Sequence, residues 1–367
     1  MRILLVTSNL RIGGIERYTV TLANALREMG HSVFVASAGG EMETQLLPGI
    51  KAVKIPLGTK SIASPRISAT VFKLWELVKE EKIEIIHAQT RVAQFAACIV
   101  SSMTKVPYVS TWHGFYKPHF FRKVLPCWGE MTIAISMSVY DHLKNDFHRD
   151  EKKIRLIYNG LDTSRFARVY TEKEKQEIRK RYGLKRGPVI GIIARLSEEK
   201  GHMILVEAFK SLLEDIPDAQ LLIVGSGRIE GKIKSRVSEL GIGANVNFIG
   251  NTLDTHDLLS VMDVSVRPSI REGFGLTLVE AMLMGVPVVS SDVGDFRTMN
   301  EDSEIGVLAD PLDSRKLKDA IKKILTDREF AIRISAAAKK YAESHFSADM
   351  MARQVEKVYR EVIDASK

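Results

Sequence analysis

Short apolar runs rich in β-branched residues recur along the chain. Each is followed by a longer stretch in which apolar positions fall three and four apart. The first half holds ILLVT (3–7), VFVAS (33–37), KAVKI (51–55), IEIIH (83–87), PYVST (107–111), MTIAIS (131–136) and IRLIY (154–158). Near-continuous apolar runs of this length suit strands buried on both faces. The stretches between them, such as IERYTVTLANALREMG, suit the covering helices. The pattern breaks at NGLDTSRF (159–166), which is turn-like, and at the charged stretch TEKEKQEIRKRYGLK (171–185). It then restarts with VIGIIA (189–194), QLLIVG (220–225), VNFIG (246–250), DVSVRPS (263–269) and VPVVSSD (286–292). After about residue 312 the pattern is helical to the end. The expected fold class is α/β: two doubly wound parallel-sheet domains, residues 1–168 and 169–347, facing a central cleft. A last helix, 348–367, is expected to cross back onto the first domain.

Composition adds limits. The 367 residues, 45% hydrophobic and 27% charged, are enough for two domains with their own cores. The start MRILLVTSNLRIGG suits a first strand better than a signal peptide. The longest apolar candidate, VAQFAACIV, is interrupted by Gln94 and falls short of the roughly 18 residues that span a bilayer. A cytoplasmic protein is expected, able to lie at the inner face of the plasma membrane. The two cysteines, Cys98 and Cys127, suit buried thiols in a reduced compartment. Net charge is +8, unevenly placed. Residues 1–170 hold 23 Lys/Arg and 14 Asp/Glu, a net of +9, whereas the remainder holds 30 and 31, a net of −1. Such an excess favours an anionic partner, such as a lipid surface or a phosphorylated glycan. Zinc spacing, an aromatic RNA-binding strand and a basic heptad are all missing from the sequence, so nucleic acid is not expected.

In doubly wound sheets ligands bind beyond the carboxyl ends of the strands, and the candidate chemistry falls there. Gly13 and Gly14 follow the first strand and open a helix, whose free amides suit an anion. A plain turn would look the same. His113 follows PYVST and could donate a hydrogen bond or act as acid or base. His87, which ends IEIIH, is placed with Arg91, Tyr116 and Lys117 on the acceptor side. In ARLSEEKG, Arg195 and Lys200 put two cations at a helix start, where they could stabilise a departing diphosphate or stand solvated. No Asp-x-Asp pair follows a strand, so neither a metal nor another cofactor is expected. Gly225 and Gly227 follow a strand and could line a nucleotide pocket. In REGFGLTLVEA (271–281), Glu272 and Glu280 flank a glycine loop leading to a helix expected from Thr277. Thr277-Leu-Val-Glu280 also matches a capping box. Carboxylates grip neighbouring hydroxyls, so two of them around a phosphate loop suit a nucleotide-sugar.

The stretch EGFGLTLVE, the cations of ARLSEEKG, the GGIE loop, TWHG and IYNGLD, in this order over about residues 1–365, resemble the retaining glycosyltransferases of family four, which have the GT-B fold. The resemblance implies that Glu280 binds ribose and that Glu272 faces the donor sugar beside the amides of Gly273, Phe274, Gly275 and Leu276. It implies that Arg195 and Lys200 hold the diphosphate with Gly14 and Thr277, that His113 lies by the transferred sugar, and that Ile249 and Gly250 meet the base. Members commonly use UDP- or GDP-sugars without metal. One departure is DVGDFRTM, where Asp295 and Thr298 replace the second glycine and the glutamate of a GG-x-x-E pattern. The expected function is retaining, metal-independent hexosyl transfer from a nucleoside diphosphate sugar, with UDP favoured. The acceptor is expected to be a glycan or glycolipid in bacterial cell-envelope, lipopolysaccharide-type biosynthesis. The basic first domain and the run WHGFYKPHFFRK (112–123) direct that acceptor to a membrane face. The alternatives are a nucleotide-sugar epimerase on the same fold and a catalytically silent nucleotide-sugar-binding protein.

Overall fold

A computed structural model describes residues 1–366 except Lys60, His119–Phe121 and Lys123, and only the backbone of Asp302. Four residues of the run 112–123 therefore lie outside the described residues. The chain forms two compact units, Met1–Asp162 with Phe346–Lys367, and Thr163–His345. The division falls a few residues before the expected position near 168, and the last helix joins the first unit.

The first unit closes round a seven-stranded sheet in the order β3-β2-β1-β4-β5-β6-β7. Its strands are β1 (Arg2–Val6), β2 (Ser32–Ser37), β3 (Lys51–Lys54), β4 (Ile85–Ala88), β5 (Tyr108–Trp112), β6 (Met131–Ala134) and β7 (Ile154–Leu156). The second unit has the order β10-β9-β8-β11-β12-β13. Its strands are β8 (Val189–Ile193), β9 (Gln220–Val224), β10 (Val246–Ile249), β11 (Val264–Arg267), β12 (Val288–Ser291) and β13 (Val307–Ala309). Every pairing is parallel. Each sheet starts at its middle, grows one way for three strands, then returns to grow the other way. The reversal leaves a switch point between β1 and β4, and another between β8 and β11, where the following loops diverge and leave room for a ligand.

Burial explains the elements. Ile3 to Val6 are fully buried, as a central strand of a covered sheet requires. The helix Gly14–Glu28 buries Tyr18, Leu22 and Leu26, four residues apart on one face. Strand β13 was not legible in the sequence; it is three residues long and pairs on one side only, with β12. No described helix is long and apolar enough to cross a membrane.

The last helix, Ala348–Ala365, packs on the helix Gly14–Glu28 within the first unit. Its chain start is pinned beside the chain exit at Leu161. Leu161 N–H donates to the Phe346 carbonyl at 2.8 Å, and Ala348 N–H donates back to the Leu161 carbonyl at 2.8 Å. A Cβ on Gly160 would lie 2.4 Å from the Ser347 carbonyl oxygen, so only glycine admits this crossing.

The same helix corrects the placement of His87 on the acceptor side. His87 lies inside β4 and is fully buried. Its Nδ1 stands 2.6 Å from the Tyr359 hydroxyl and its Nε2 2.7 Å from Thr111 Oγ1. One ring nitrogen thus ties the last helix to the sheet, and the other ties β4 to β5. Burial, with the nearby His113, lowers its pKa from 6.5 to about 3. An unfolded His87 takes up a proton first as pH falls, so the stability it contributes is complete above about pH 6.5 and is lost towards about pH 3. Urea unfolding between about pH 7 and about pH 5 should show wild-type stability falling more steeply than that of His87→Asn, by up to about 1.4 kcal/mol per pH unit. Parallel pH profiles would show that His87 does not titrate on unfolding.

Candidate active site

In the second unit the candidate residues converge on the switch point between β8 and β11. Strand β11 ends in Arg267, a residue only 7% exposed. It donates to the Phe274 carbonyl at 2.9 Å and to Ser290 Oγ at 2.8 and 3.2 Å. The loop 268–275 is thereby wrapped over a buried charge. Gly275 closes the wrap: its φ is +87°, and a Cβ there would lie 1.9 Å from an Arg267 nitrogen.

Glu272 is the centre of this loop. Its Oε2 accepts from Lys200 Nζ at 2.7 Å and from Ser269 Oγ at 3.1 Å, and its Oε1 accepts from the Gly273 N–H at 3.1 Å. Burial acts to raise its pKa, but the charges of Lys200 and Arg267 and the bonds from Lys200 and Ser269 outweigh it and hold the carboxyl below its ordinary range. It is an ionised acceptor near neutral pH. Lys200 ends the short 3-10 turn Glu198–Lys200 after β8. The two strand-end loops touch because Gly201 has φ +71° and no side chain; a Cβ there would lie 1.8 Å from the Pro268 carbonyl oxygen. The Ile270 N–H then donates to the Glu199 carbonyl at 2.8 Å. Arg195, its side chain 70% exposed, pairs with Glu199 at 3.1 Å.

The helix Leu276–Leu283 begins one residue earlier than expected. Its N-cap is Gly275, so Thr277 lies within the first turn and the capping-box reading fails. Glu280, fully buried in the middle of this helix, is not a cap residue.

Two other glycines of this unit have local packing roles. A Cβ on Gly225 would lie 2.1 Å from the Ala194 carbonyl oxygen, and one on Gly227 would lie 2.2 Å from that of Leu196. These glycines let the loops after β8 and β9 pack together. The Ile249 carbonyl accepts from the Gly225 N–H at 2.9 Å, while Gly250 is exposed with open space where a Cβ would stand. Asp295, at the departing position of DVGDFRTM, is buried and adds to Glu272 in stabilising the Arg267 charge.

The first unit holds the remaining candidates. Gly13 is the extended N-cap of the helix that Gly14 opens. His113 Nε2 stands 3.0 Å from the Gln89 side-chain oxygen, and its ring meets Tyr18 edge-on at 4.8 Å. Burial pushes its pKa down to about 3, so the ring is neutral at pH 7. Arg91 donates to the carbonyls of Leu125 and Pro126. Tyr116 is half-buried and Lys117 exposed. Arg267, Ser269 and Gln89 belong to no motif that marks them in the sequence. A charged residue ending an otherwise apolar strand was the available signal for Arg267, since buried charges need partners.

Two family models match the chain nearly end to end: Glycosyltransferase Family 4 over residues 12–165, and Glycosyl transferases group 1 over residues 174–341. The chain belongs to the family-four glycosyltransferases. Full-length relatives agree. An uncharacterised glycosyltransferase, MJ1607 of Methanocaldococcus jannaschii, is 26% identical over 95% of this chain and 94% of its own. The lipopolysaccharide core biosynthesis mannosyltransferase LpsB of Rhizobium meliloti is 25% identical over 96% and 95%. The Anabaena protein Alr3699/HepE, solved in complex with UDP and glucose, shares the fold at a TM-score of 0.85 and 23% identity, over 98% and 99% of the two chains. The fold of this glycosyltransferase is therefore GT-B.

The wrap around Arg267 yields a stability prediction. Arg267→Met leaves the buried Phe274 carbonyl and Ser290 hydroxyl without their donor and should destabilise the second unit of this glycosyltransferase by about 3 kcal/mol. Gly275→Ala should destabilise too, through both its φ and its clash. Calorimetric unfolding checks both, and unchanged midpoints would show that the loop does not depend on this contact.

Proposed function

We propose that this glycosyltransferase moves a hexose from a UDP-sugar, with retained anomeric configuration and without a metal, to a glycan or glycolipid acceptor of lipopolysaccharide-type cell-envelope biosynthesis. The observation that carries the reading is the Lys200–Glu272 pair at the switch point, 2.7 Å apart beside a helix start. A diphosphate suits the ammonium and the first-turn amides. Sugar hydroxyls suit the ionised carboxylate, which keeps lone pairs beyond those used by Lys200, Ser269 and Gly273. The HepE complex with UDP and glucose and the role named for LpsB support the donor and the envelope setting.

The chemistry is a front-face displacement. The acceptor oxygen bonds to the anomeric carbon on the side that the diphosphate leaves. The bond from that carbon to the leaving oxygen breaks with its electron pair on the diphosphate, and a diphosphate oxygen takes the acceptor proton. Lys200 and Arg195 stabilise the charge that develops on the diphosphate. Glu272 fixes the sugar by its hydroxyls. Glu280 binds the ribose, and a neutral His113 serves as a hydrogen-bonding group rather than as a cation.

Lys200→Ala and Glu272→Ala should each lower turnover by about 10²-fold or more while the fold persists, and transfer should continue in excess chelator. Full activity of either variant, or strict metal dependence, would sink the reading. UDP-GlcNAc incubated without acceptor should not be epimerised. Thermal-shift titration with UDP-, GDP- and ADP-sugars should single out UDP, with stabilisation of about 2.7 kcal/mol at 100 times Kd. Glu280→Gln should weaken that shift, and an unaltered shift would remove Glu280 from the donor site.

A further inference from the structure

The first unit holds a cluster of positive charge to which the chemistry of sugar transfer assigns no part. From Ile85 to Gly129 the sequence has no Asp or Glu, yet it contains Arg91, Lys105, Lys117, Arg122 and Lys123. This stretch supplies the adjacent strands β4 and β5, the helix Arg91–Thr104 between them and the loop after β5. The carboxyl ends of two neighbouring strands, where a doubly wound sheet binds ligands, thus lack acidic side chains of their own.

Within it, two guanidinium groups are drawn together. Arg91 donates to the carbonyls of Leu125 and Pro126, which clamps the loop after β5 onto the start of its helix. Arg122 lies only three residues before Leu125 in that loop, so the clamp brings it near Arg91. Arg122 is half-buried, its Cζ 4.5 Å from the centroid of Tyr116 and 6.0 Å from that of Trp112. Tyr116 is held by its backbone N–H, which donates to His142 Nε2 at 3.0 Å. Among the described residues neither guanidinium is paired with a carboxylate. Their undescribed neighbours in the sequence, His119, Phe120, Phe121 and Lys123, include no carboxylate. Burial, then the charge of Arg91, lowers the pKa of Arg122. A half-buried cation facing a like charge is costly unless an anion joins it.

We propose that Arg122, stacked on Tyr116 and backed by Arg91, seats an oxyanion carried by the acceptor, a phosphate or a carboxylate. The inference rests on the sugar-transfer reading and adds the charge of the acceptor to it. The planar guanidinium presents paired N–H donors that match two oxygens of such a group. The Tyr116 ring fixes the plane in which they point. Arg91 is a positioning residue: its own N–H groups hold the loop, and its charge strengthens the seat. Lys117 stands exposed at the next position after Tyr116.

The test uses the full chain saturated with UDP, which fills the phosphate contacts of the donor site. Calorimetric titration at constant ionic strength compares glycerol 1-phosphate, malate and methyl α-glucoside. An anion should bind at least about ten-fold more tightly than the neutral sugar, and Arg122→Gln should abolish that advantage while leaving UDP affinity unchanged. Arg122→Lys, which keeps the charge without the fork, should retain part of it. Preference for malate over glycerol 1-phosphate would assign the seat to carboxylates, and the reverse to phosphates. Retention on phosphatidylglycerol vesicles, lost in Arg122→Gln, would assign the phosphate to a lipid headgroup; binding of glycerol 1-phosphate without vesicle retention would assign it to a soluble acceptor. Equal anion affinity in wild type and Arg122→Gln, or no anion binding by a wild type that binds UDP, overturns the proposal. Failure to bind any nucleotide overturns the sugar-transfer reading instead, and the acceptor seat falls with it.

Discussion

Arg267 places a permanent positive charge at the end of a buried strand, and the surrounding chain is arranged to satisfy it. Its N–H groups reach the Phe274 carbonyl and the Ser290 hydroxyl. Two carboxylates, Glu272 and Asp295, supply the compensating field. Glu272 in turn holds Lys200. The result is an alternation of charge, Arg267 to Glu272 to Lys200, running from the sheet interior towards the loop after β8. Glu272 is thus anchored from behind by a group that no substrate needs to touch. That arrangement keeps it ionised despite burial, and an ionised carboxylate is the form that accepts hydrogen bonds from hydroxyls.

The same strand order is used in both units, and it yields different chemistry because different residues occupy the switch points. Around β8 and β11 stand ionised groups and loops pressed together at Gly201 and Gly275. Around β1, β4 and β5 stand a glycine helix start, a neutral histidine against Gln89 and a cluster of arginines. The first set suits a substrate that carries its own diphosphate. The second, a neutral histidine and arginines near strand and helix ends, offers hydrogen bonds and positive charge instead.

Much of this was legible in the sequence. Apolar runs marked twelve of the thirteen strands; the central ones carry the unbroken apolar signature of strands covered on both faces, whereas edge strand β3, KAVK, is mostly exposed. Edge strand β13 shows none, because its apolar run VLA stops at Asp310, whereas the equally short edge strand β7 lies inside the longer run IRLIY. Lys200 and Glu272 were found because loops following strands are where ligands bind. Their mutual pairing was not, since they stand 72 positions apart and meet only through the fold. His87 misled because its strand ends one residue later than the apolar run suggested, which puts the imidazole inside the sheet. Gly225 and Gly227 are ambiguous for another reason: a glycine that clears space for a neighbouring backbone has the same sequence signature as one that clears space for a ligand. The apparent capping box failed by geometry alone, because Gly275 took the cap position two residues before Thr277.

The parallel bridge between Leu161 and Ser347 sets the entrance and the exit of the second unit side by side. In topological terms the second unit is an insertion carried within the chain of the first. Its two ends are already adjacent, so replacing Thr163–His345 with another segment whose ends lie close together leaves the strand and helix register of the first unit undisturbed. The second unit is therefore exchangeable as a module while the first stays intact. Gly160 is the hinge pin of that modularity, since any side chain there would force the two crossing passages apart.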